Sequence, residues 1–345
     1  MGRAYSARQW GLLLGISNID AGSSAGAVGS ATMDDNATTI SRFRVNSPVN
    51  DIAFTGGFQQ SEIERAGNTT FRTEDIVQQY GSGIFTFDFD YPVDNEQCVQ
   101  QLLQLIYPST STAVSTALTI PEAPTSEDYS HGANTGDDRM AFLVLQNALA
   151  DSDRMMHSAI LQNLTLSMDS ATNAGLLNMS GQFMTGYKPV IGANTLDGDD
   201  TAGRVSDFNK GLFDCTTVEF GGSAVTCKSF SMTIDNPANR IGFQGSAGET
   251  DGYVRPANIG ITGSMSIKAD ETVQDFLVNK FQASGGSREC AIALNDGSNF
   301  DFSLPTVVIT DYVLDQANEG IFADITFRAT SSQDGGANLA VIKLT

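Results

Sequence analysis

The chain has 345 residues, of which 17% are charged, and its 40 acidic residues outnumber its 19 basic residues to give a formal net charge of −21. A surface this acidic repels phosphate and gains nothing from counterion release, so the composition disfavours tight nucleic-acid binding. The longest apolar run, near residues 11–14, is too short to cross a bilayer as a helix. A low fraction of charged residues with abundant Gly, Ser, Thr and Asn is typical of β-rich proteins.

The cysteines argue against a metal cage. Cys98, Cys215, Cys227 and Cys290 show no CxxC spacing, which a structural zinc site would need. Cys215 and Cys227 flank a Gly-Gly-Ser turn and could face each other across a hairpin. Because the chain is large and poor in cysteine, we expect reduced, half-buried thiols rather than a disulfide framework.

The first predicted strand covers residues 12–19, and the sequence GSSAG follows it at residues 22–26. This sequence fits the G-x-S-x-G pattern, in which the serine projects at the start of a helix. The residues that follow have little helical periodicity, and the candidate bases are His131, in a polar loop, and His157, beside two methionines. Hydrolysis at Ser24 is therefore a remote alternative.

The segment NSPVNDIAFTGG, at residues 46–57, returns 189 residues later as DNPANRIGFQGS, at residues 235–246. Proline, asparagine, two alternating apolar residues and glycine keep their places: Pro48/Pro237, Asn50/Asn239, Ile52/Ile241, Phe54/Phe243 and Gly56/Gly245. Internal repetition of this kind indicates a duplicated structural unit.

A long polar loop follows in each copy, at residues 56–82 and 245–262, and a strand comes next. In both strands apolar and polar residues alternate with a period of two: Phe85, Phe87 and Phe89 with Thr86, Asp88 and Asp90 in the first copy, and Met265, Ile267 and Ala269 with Ser264, Ser266 and Lys268 in the second. This alternation predicts one buried face and one solvated face.

Each strand is followed by a predicted helix. Asp94 and Gln97 form a capping box before the first helix, and Asp270 caps the second. Apolar residues at helical spacing predict a buried stripe on each helix: Val99, Leu102, Leu103 and Ile106 on the first, and Val273, Phe276, Leu277 and Phe281 on the second. Both helices are therefore expected to be core elements.

Both copies close with a strand, a turn containing glycine and another strand, at residues 160–186 and 306–331. In the first copy residues 109–138 are rich in Ser, Thr, Pro and Gly without periodicity, which predicts a surface loop. Residues 186–200 are predicted to be a linker between the copies.

The predicted fold class is mainly β, with two tandem β-sandwich or β-barrel domains that each carry a flanking α-helix. The first domain covers residues 1–187 and includes an N-terminal arm and the loop at residues 109–138. The second covers residues 188–345. The sequence shows no Walker or dinucleotide motif and no paired histidine ligands, and the DGDD stretch at residues 197–200 lacks EF-hand spacing. We therefore expect a structural protein, not an enzyme, without metal or cofactor.

The order strand, long loop, strand, capped helix and terminal hairpin resembles the tail tube proteins (major tail proteins) of long-tailed bacteriophages, in their duplicated-domain form. The likeness lies in the segments NSPVNDIAFTGG, GSGIFTFDFDYPVDNEQCVQQLL, ITGSMSIKADETVQDFLVNKF and GIFADITFRATS. The resemblance covers roughly two thirds of the chain. It is based on the order of the elements and on their residue patterns, not on a signature motif.

The resemblance implies a virion protein that polymerises into stacked rings, whose inner sheets join into a barrel around a lumen through which viral DNA passes without specific binding. The implied partners are further copies of the chain, a tape-measure protein and a tail-terminator protein, with no membrane anchor. The expected location is the virion tail, after assembly in the host cytoplasm. Because one chain supplies two units, we expect trimeric, pseudo-hexameric rings.

The resemblance also suggests roles for charged residues. Candidates for contacts between stacked rings lie in the loop at residues 56–82 and carry both signs of charge: Glu62, Glu64, Arg65, Arg72, Glu74 and Asp75. Asp88 and Asp90 are lumen-facing candidates, although they could equally solvate an outer face. The alternative from another class is a surface or secreted β-sandwich binding module, which would be a monomer.

Overall fold

The computed structural model describes residues 11–18, 39–43, 51–54, 58–60, 76–78, 84–107, 117–120, 130–131, 139–146, 153–192, 208–241, 250, 252–254, 259–282, 289–317, 320–330 and 338–344. The helices are α1 (Glu96–Ile106) and α2 (Glu271–Gln282). The strands are β1 (Gly11–Asn18), β2 (Thr39–Phe43), β3 (Ala53–Phe54), β4 (Phe58–Gln60), β5 (Ile76–Gln78), β6 (Phe85–Pro92), β7 (Leu118–Ile120), β8 (Ser130–His131), β9 (Arg139–Gln146), β10 (Asp153–Asp169), β11 (Asn178–Thr185), β12 (Val190–Gly192), β13 (Thr217–Phe220), β14 (Ser223–Ala224), β15 (Cys227–Asp235), β16 (Asn239–Ile241), β17 (Gly252–Val254), β18 (Gly260–Lys268), β19 (Glu289–Asn295), β20 (Phe300–Ala317), β21 (Gly320–Ala329) and β22 (Ala340–Leu344). The prediction of a mainly β fold is confirmed.

One order of neighbouring strands occurs twice in the antiparallel network. In the first half the order is β2-β1-β9-β10-β11-β6-β3. In the second half it is β14-β13-β19-β20-β21-β18-β15. We call these two sets of strands the first unit and the second unit.

The two units also share their irregularities. The pairing of β9 with β10 is interrupted at His157 and Ser158, and the pairing of β19 with β20 is interrupted at Pro305 and Thr306. Further along each long strand a single extra residue, Gln162 or Thr310, interrupts the pairing with the next strand. Bulges bend a strand, which allows β10 and β20 each to pass from one sheet to another.

The units are joined through one sheet. β15 of the second unit pairs with β10 of the first, from Asn163 opposite Asp235 to Asp169 opposite Ser229. The strands β6-β11-β10-β15-β18-β21-β20 therefore form a continuous antiparallel sheet, which we call the large sheet. A single apolar cluster includes buried residues from both units. The domain boundary between residues 187 and 188 stays a prediction.

The helices pack their apolar stripes into this cluster. Val99, Leu102, Leu103, Ile106, Val273 and Leu277 are buried, Phe276 is half-buried, and the side chain of Phe281 lies outside the described residues. The Asp270 cap is confirmed, since its Oδ1 accepts a hydrogen bond from the Val273 N–H at 2.9 Å. The Asp94 cap is wrong by one residue. Asn95 is the N-cap, and its Oδ1 accepts a bond from the Gln97 N–H at 2.9 Å.

Two predicted loops and the predicted linker contain strands. Within residues 109–138, β7 pairs with β22 and buries Leu118 and Ile120, and β8 pairs with β17, so the prediction of a plain surface loop is wrong there. Within residues 56–82, β4 pairs with β5. In the predicted linker, β12 pairs with β10. Strands of two or three residues are too short to produce a periodic pattern in the sequence.

The prediction of an N-terminal arm is corrected for the residues that β1 contains. β1 pairs with β2 on one side and with β9 on the other, and Leu12 and Leu14 are fully buried. The apolar run at residues 11–14 therefore belongs to an interior strand, because it supplies core side chains to the first unit.

Candidate functional site

The large sheet has two chemically different faces, because successive side chains on a strand point to opposite sides. One face supplies buried aromatic and aliphatic side chains such as Phe89, Leu164, Phe230, Met265 and Ile325. The opposite face, which we call the polar face, is mostly polar and also carries Val313 and Phe322. Its polar residues include Asp88, Asp90, Asn163, Thr165, Ser167, Asp169, Ser180, Gln182, Ser229, Ser231, Thr233, Asp235, Thr262, Ser264, Ser266, Lys268, Asp311, Asp315, Asp324, Thr326 and Arg328.

The polar face continues across both units in ordered rows. One row runs across six strands through Asp90, Ser180, Thr165, Thr233, Thr262 and Arg328, each opposite the next in the pairing register. The Thr165 and Thr233 hydroxyls are hydrogen-bonded at 2.8 Å, across the junction between the units. The short hydroxyl side chains in the middle of this row project little from the sheet, and neighbouring hydroxyls can form hydrogen bonds from strand to strand.

The lumen-facing candidates Asp88 and Asp90 lie on this face and are exposed. The Gln182 side-chain N–H donates to Asp88 Oδ1 at 2.6 Å, and the Asn178 side-chain N–H donates to Asp90 Oδ1. Amide groups of β11 thus orient both carboxylates on β6. Aspartates outnumber the basic residues Lys268 and Arg328 on the polar face, so this surface is acidic.

The polar face contains a depression of about 470 Å³ over the second unit. Its lining includes Ser231, Thr233, Thr262, Ser264, Thr326 and Arg328. Sequence alternation predicted that these positions are polar, but it could not show that the surface they share is concave.

The two long strands differ in what lies along their outer edges. Residues Asn163 to Asp169 of β10 pair with β15, so that stretch of β10 has neighbours on both sides. The matching bulges make Asp311, Val313 and Asp315 of β20 the counterparts of Asn163, Thr165 and Ser167. Along this part of β20, β21 lies on one side, and the structure describes no strand on the other. Val313 is 60% exposed.

A buried polar network connects β17 to the β10 bulge. The Tyr253 hydroxyl donates to Ser158 O at 2.9 Å and accepts from the Gly186 N–H at 2.9 Å, with Thr185 Oγ1 at 3.2 Å. Burial raises the Tyr253 pKa to about 12, against the opposing effect of the bonds from Thr185 and Gly186. The hydroxyl therefore stays protonated at neutral pH. Nothing in the local sequence GYV indicated this role.

His157 belongs to the same region. Its ring lies 5.6 Å from that of Tyr187, centroid to centroid, and its Nε2 is 3.2 Å from Lys188 O. The side chain is buried at a bulge within β10.

All four cysteines lie among the described residues and are reduced thiols, as expected; Cys215 and Cys227 are half-buried, whereas Cys98 and Cys290 are buried. Burial raises the pKa of Cys215 and of Cys227 to about 12, and that of Cys290 to about 11. These three thiols are therefore protonated at neutral pH and are poor nucleophiles.

Several candidate residues lie outside the part of the chain that the structure describes. They are Ser24 and the inter-ring candidates Glu62, Glu64, Arg65, Arg72, Glu74 and Asp75. Among the described residues, no cluster of three or more His, Cys, Asp and Glu side chains could hold a metal ion. No described helix combines the length and the apolar character needed to cross a bilayer. Comparisons of the sequence with protein-family models and with curated proteins gave no match.

Proposed function

We propose that the chain is a structural protein that assembles head to tail into rings, which stack into the tail tube of a long-tailed bacteriophage. The observation that carries this proposal is the asymmetry of the large sheet. A strand of the second unit covers the outer edge of β10, and no described strand covers the equivalent edge of β20. Because the second unit covers the β10 edge of the first, the equivalent β20 edge of the second unit remains for the first unit of the next chain.

An edge strand with unsatisfied backbone groups favours pairing with another strand. A contact between unlike ends of identical chains is heterologous, so it repeats from chain to chain and forms a ring when the rotation closes. Three chains would supply six units. Such a ring has true threefold symmetry, because the two units of one chain differ in sequence.

The polar face would line the lumen in this assembly. Most side chains along the hydroxyl rows are short, and the aspartates repel the phosphates of DNA that moves past them. Asp88 and Asp90 would contribute to that repulsion. The tape-measure and tail-terminator proteins are the further partners that the family resemblance suggests for such a tube.

Electron microscopy of the purified full-length protein tests the proposal. The expected result is tubes or rings with three copies of the chain per ring, seen after averaging without imposed symmetry. Monomers at all concentrations would favour the alternative of a surface or secreted β-sandwich binding module. Rings of six full-length chains would refute the trimer and leave the tube.

A further inference from the structure

The ends of two equivalent hairpins have different surroundings. Leu177, the residue just before β11, corresponds to Ile321 at the start of β21. The Val93 N–H donates to Leu177 O at 2.9 Å, and the Ala269 N–H donates to Ile321 O at the same distance. The matching bulges likewise make Leu166 on β10 the counterpart of Leu314 on β20.

The counterparts differ sharply in exposure. Leu166 and Leu177 are each 1% exposed, whereas Leu314 is 40% exposed and Ile321 is 42% exposed. These positions have the same place in their units and are all aliphatic. The difference therefore comes from what covers each hairpin end.

In the first unit, the cover is residues 208–214, which we call the strap. The Leu177 N–H donates to Lys210 O at 3.0 Å, and Leu176 forms an isolated bridge with Gly211. Leu212 of the strap is buried in the common apolar cluster. The strap lies just before β13 in the chain, so the second unit covers the hairpin end of the first.

We propose that the end of the β20–β21 hairpin is a docking surface for a second copy of the chain, which covers it with residues 2–8. Leu14 of β1 pairs with Leu143, and Phe220 of β13 pairs with Ile292. Leu143 and Ile292 each lie next to the bulge that the two units have in common, so Leu14 and Phe220 have equivalent positions. Counting back the same number of residues from each makes residues 2–8 the counterpart of the strap in the sequence. This inference rests on the head-to-tail assembly proposed above.

The charges of the two partners are opposite in sign. Residues 2–8 contain Arg3 and Arg8 and no acidic residue. Asp311 and Asp315 on β20 and Asp324 on β21 are exposed on the same two strands, but they lie on the polar face, whereas Leu314 and Ile321 lie on the opposite face.

Two full-length variants and their mixture test this docking surface. L314D/I321D removes the surface, and deletion of residues 2–8 removes its occupant. Each variant alone is expected to sediment as a monomer, with self-association weakened by roughly a hundredfold relative to the parent. An equimolar mixture is expected to form a 1:1 dimer, because each variant keeps the surface that the other lacks.

Val278→Asp is the matched control, since Val278 on α2 is an exposed aliphatic residue with a similar exposed fraction of 39%. This variant should assemble as the parent does. If circular dichroism shows that L314D/I321D is unfolded, L314S/I321S replaces it in the same mixture.

The outcomes separate the inference from the proposed function. A parent that forms oligomers but no tubes, with a 1:1 dimer from the variants, supports the docking surface and contradicts the tube. Tubes from L314D/I321D, a mixture that stays monomeric, or a parent that is monomeric at all concentrations would overturn the docking surface.

Discussion

At the scale of single residues, Asp296 shows how one side chain holds distant segments together. Its Oδ1 accepts bonds from the Ser298, Asn299 and Phe300 N–H groups at 2.9, 2.7 and 2.9 Å, and Lys210 Nζ donates to Oδ2 at 3.0 Å. Burial by itself raises the pKa of this carboxyl, but these bonds together lower it below the ordinary value. The ionised carboxylate therefore stabilises both the β19–β20 turn and the strap.

We predict that Asp296→Asn destabilises the protein in a pH-dependent way. A lowered folded-state pKa contributes stability above the unfolded-state pKa of about 3.9, and that contribution is lost as the pH falls through the folded-state value. The variant should lose about 1–3 kcal/mol at pH 7, and the difference should shrink towards pH 3. Urea denaturation between pH 3 and pH 7 measures this, with exposed Asp324→Asn as the control. An equal loss at every pH would contradict the prediction.

Tyr253→Phe is expected to destabilise the protein without changing its shape. The change removes the hydroxyl that bonds to Ser158 O and to the Gly186 N–H, and leaves these backbone groups without that partner in a buried region. The expected loss is about 1–3 kcal/mol of unfolding free energy. Equilibrium denaturation measures it, and the partly exposed Tyr312→Phe is the control. A loss as small as that of the control would show that the network does not stabilise the fold.

At the scale of elements, periodicity in the sequence predicted those elements that bury one face along their whole length. On β6 the observed burial alternates as the phenylalanines and aspartates require. The cap of α2 follows from Asp270 alone, because a side chain three residues before the bonded N–H is a local feature. The predicted N-cap of α1, Asp94, is one residue before the observed N-cap, Asn95, because both residue types are good helix caps.

Leu102→Ala and Leu277→Ala are expected to lower the stability of the whole molecule. Both side chains are fully buried, and truncation of such a leucine costs about 2–5 kcal/mol. Because one apolar cluster includes both helices, each variant should still unfold in a single transition at a lower temperature. Scanning calorimetry measures this, with Val278→Ala as the exposed control. Two separated transitions would mean that the units unfold independently.

At the scale of the whole molecule, the loop at residues 56–82 gives a prediction about stacking. Its charged residues between Glu62 and Asp75 lie outside the described part of the chain, so their role stays a prediction. Deleting residues 62–72 should leave a protein that folds and forms rings but does not stack them into tubes, because the complementary charges between rings are lost. Electron microscopy and sedimentation velocity distinguish rings from tubes. Tubes of normal length from the deletion would contradict an inter-ring role.

The sequence by itself determined the mainly β class, the alternating faces of the strands and the apolar stripes of the helices. Each of these follows from residues close together in the chain, where burial imposes a period of two or of 3.6. Only the tertiary structure decided that β15 pairs with β10, that β7 pairs with β22 and that the strap covers Leu177. Strand edges and hairpin ends are covered through backbone hydrogen bonds, which every residue except proline can both donate and accept. The choice of partner therefore depends on which distant segments the folded core brings together.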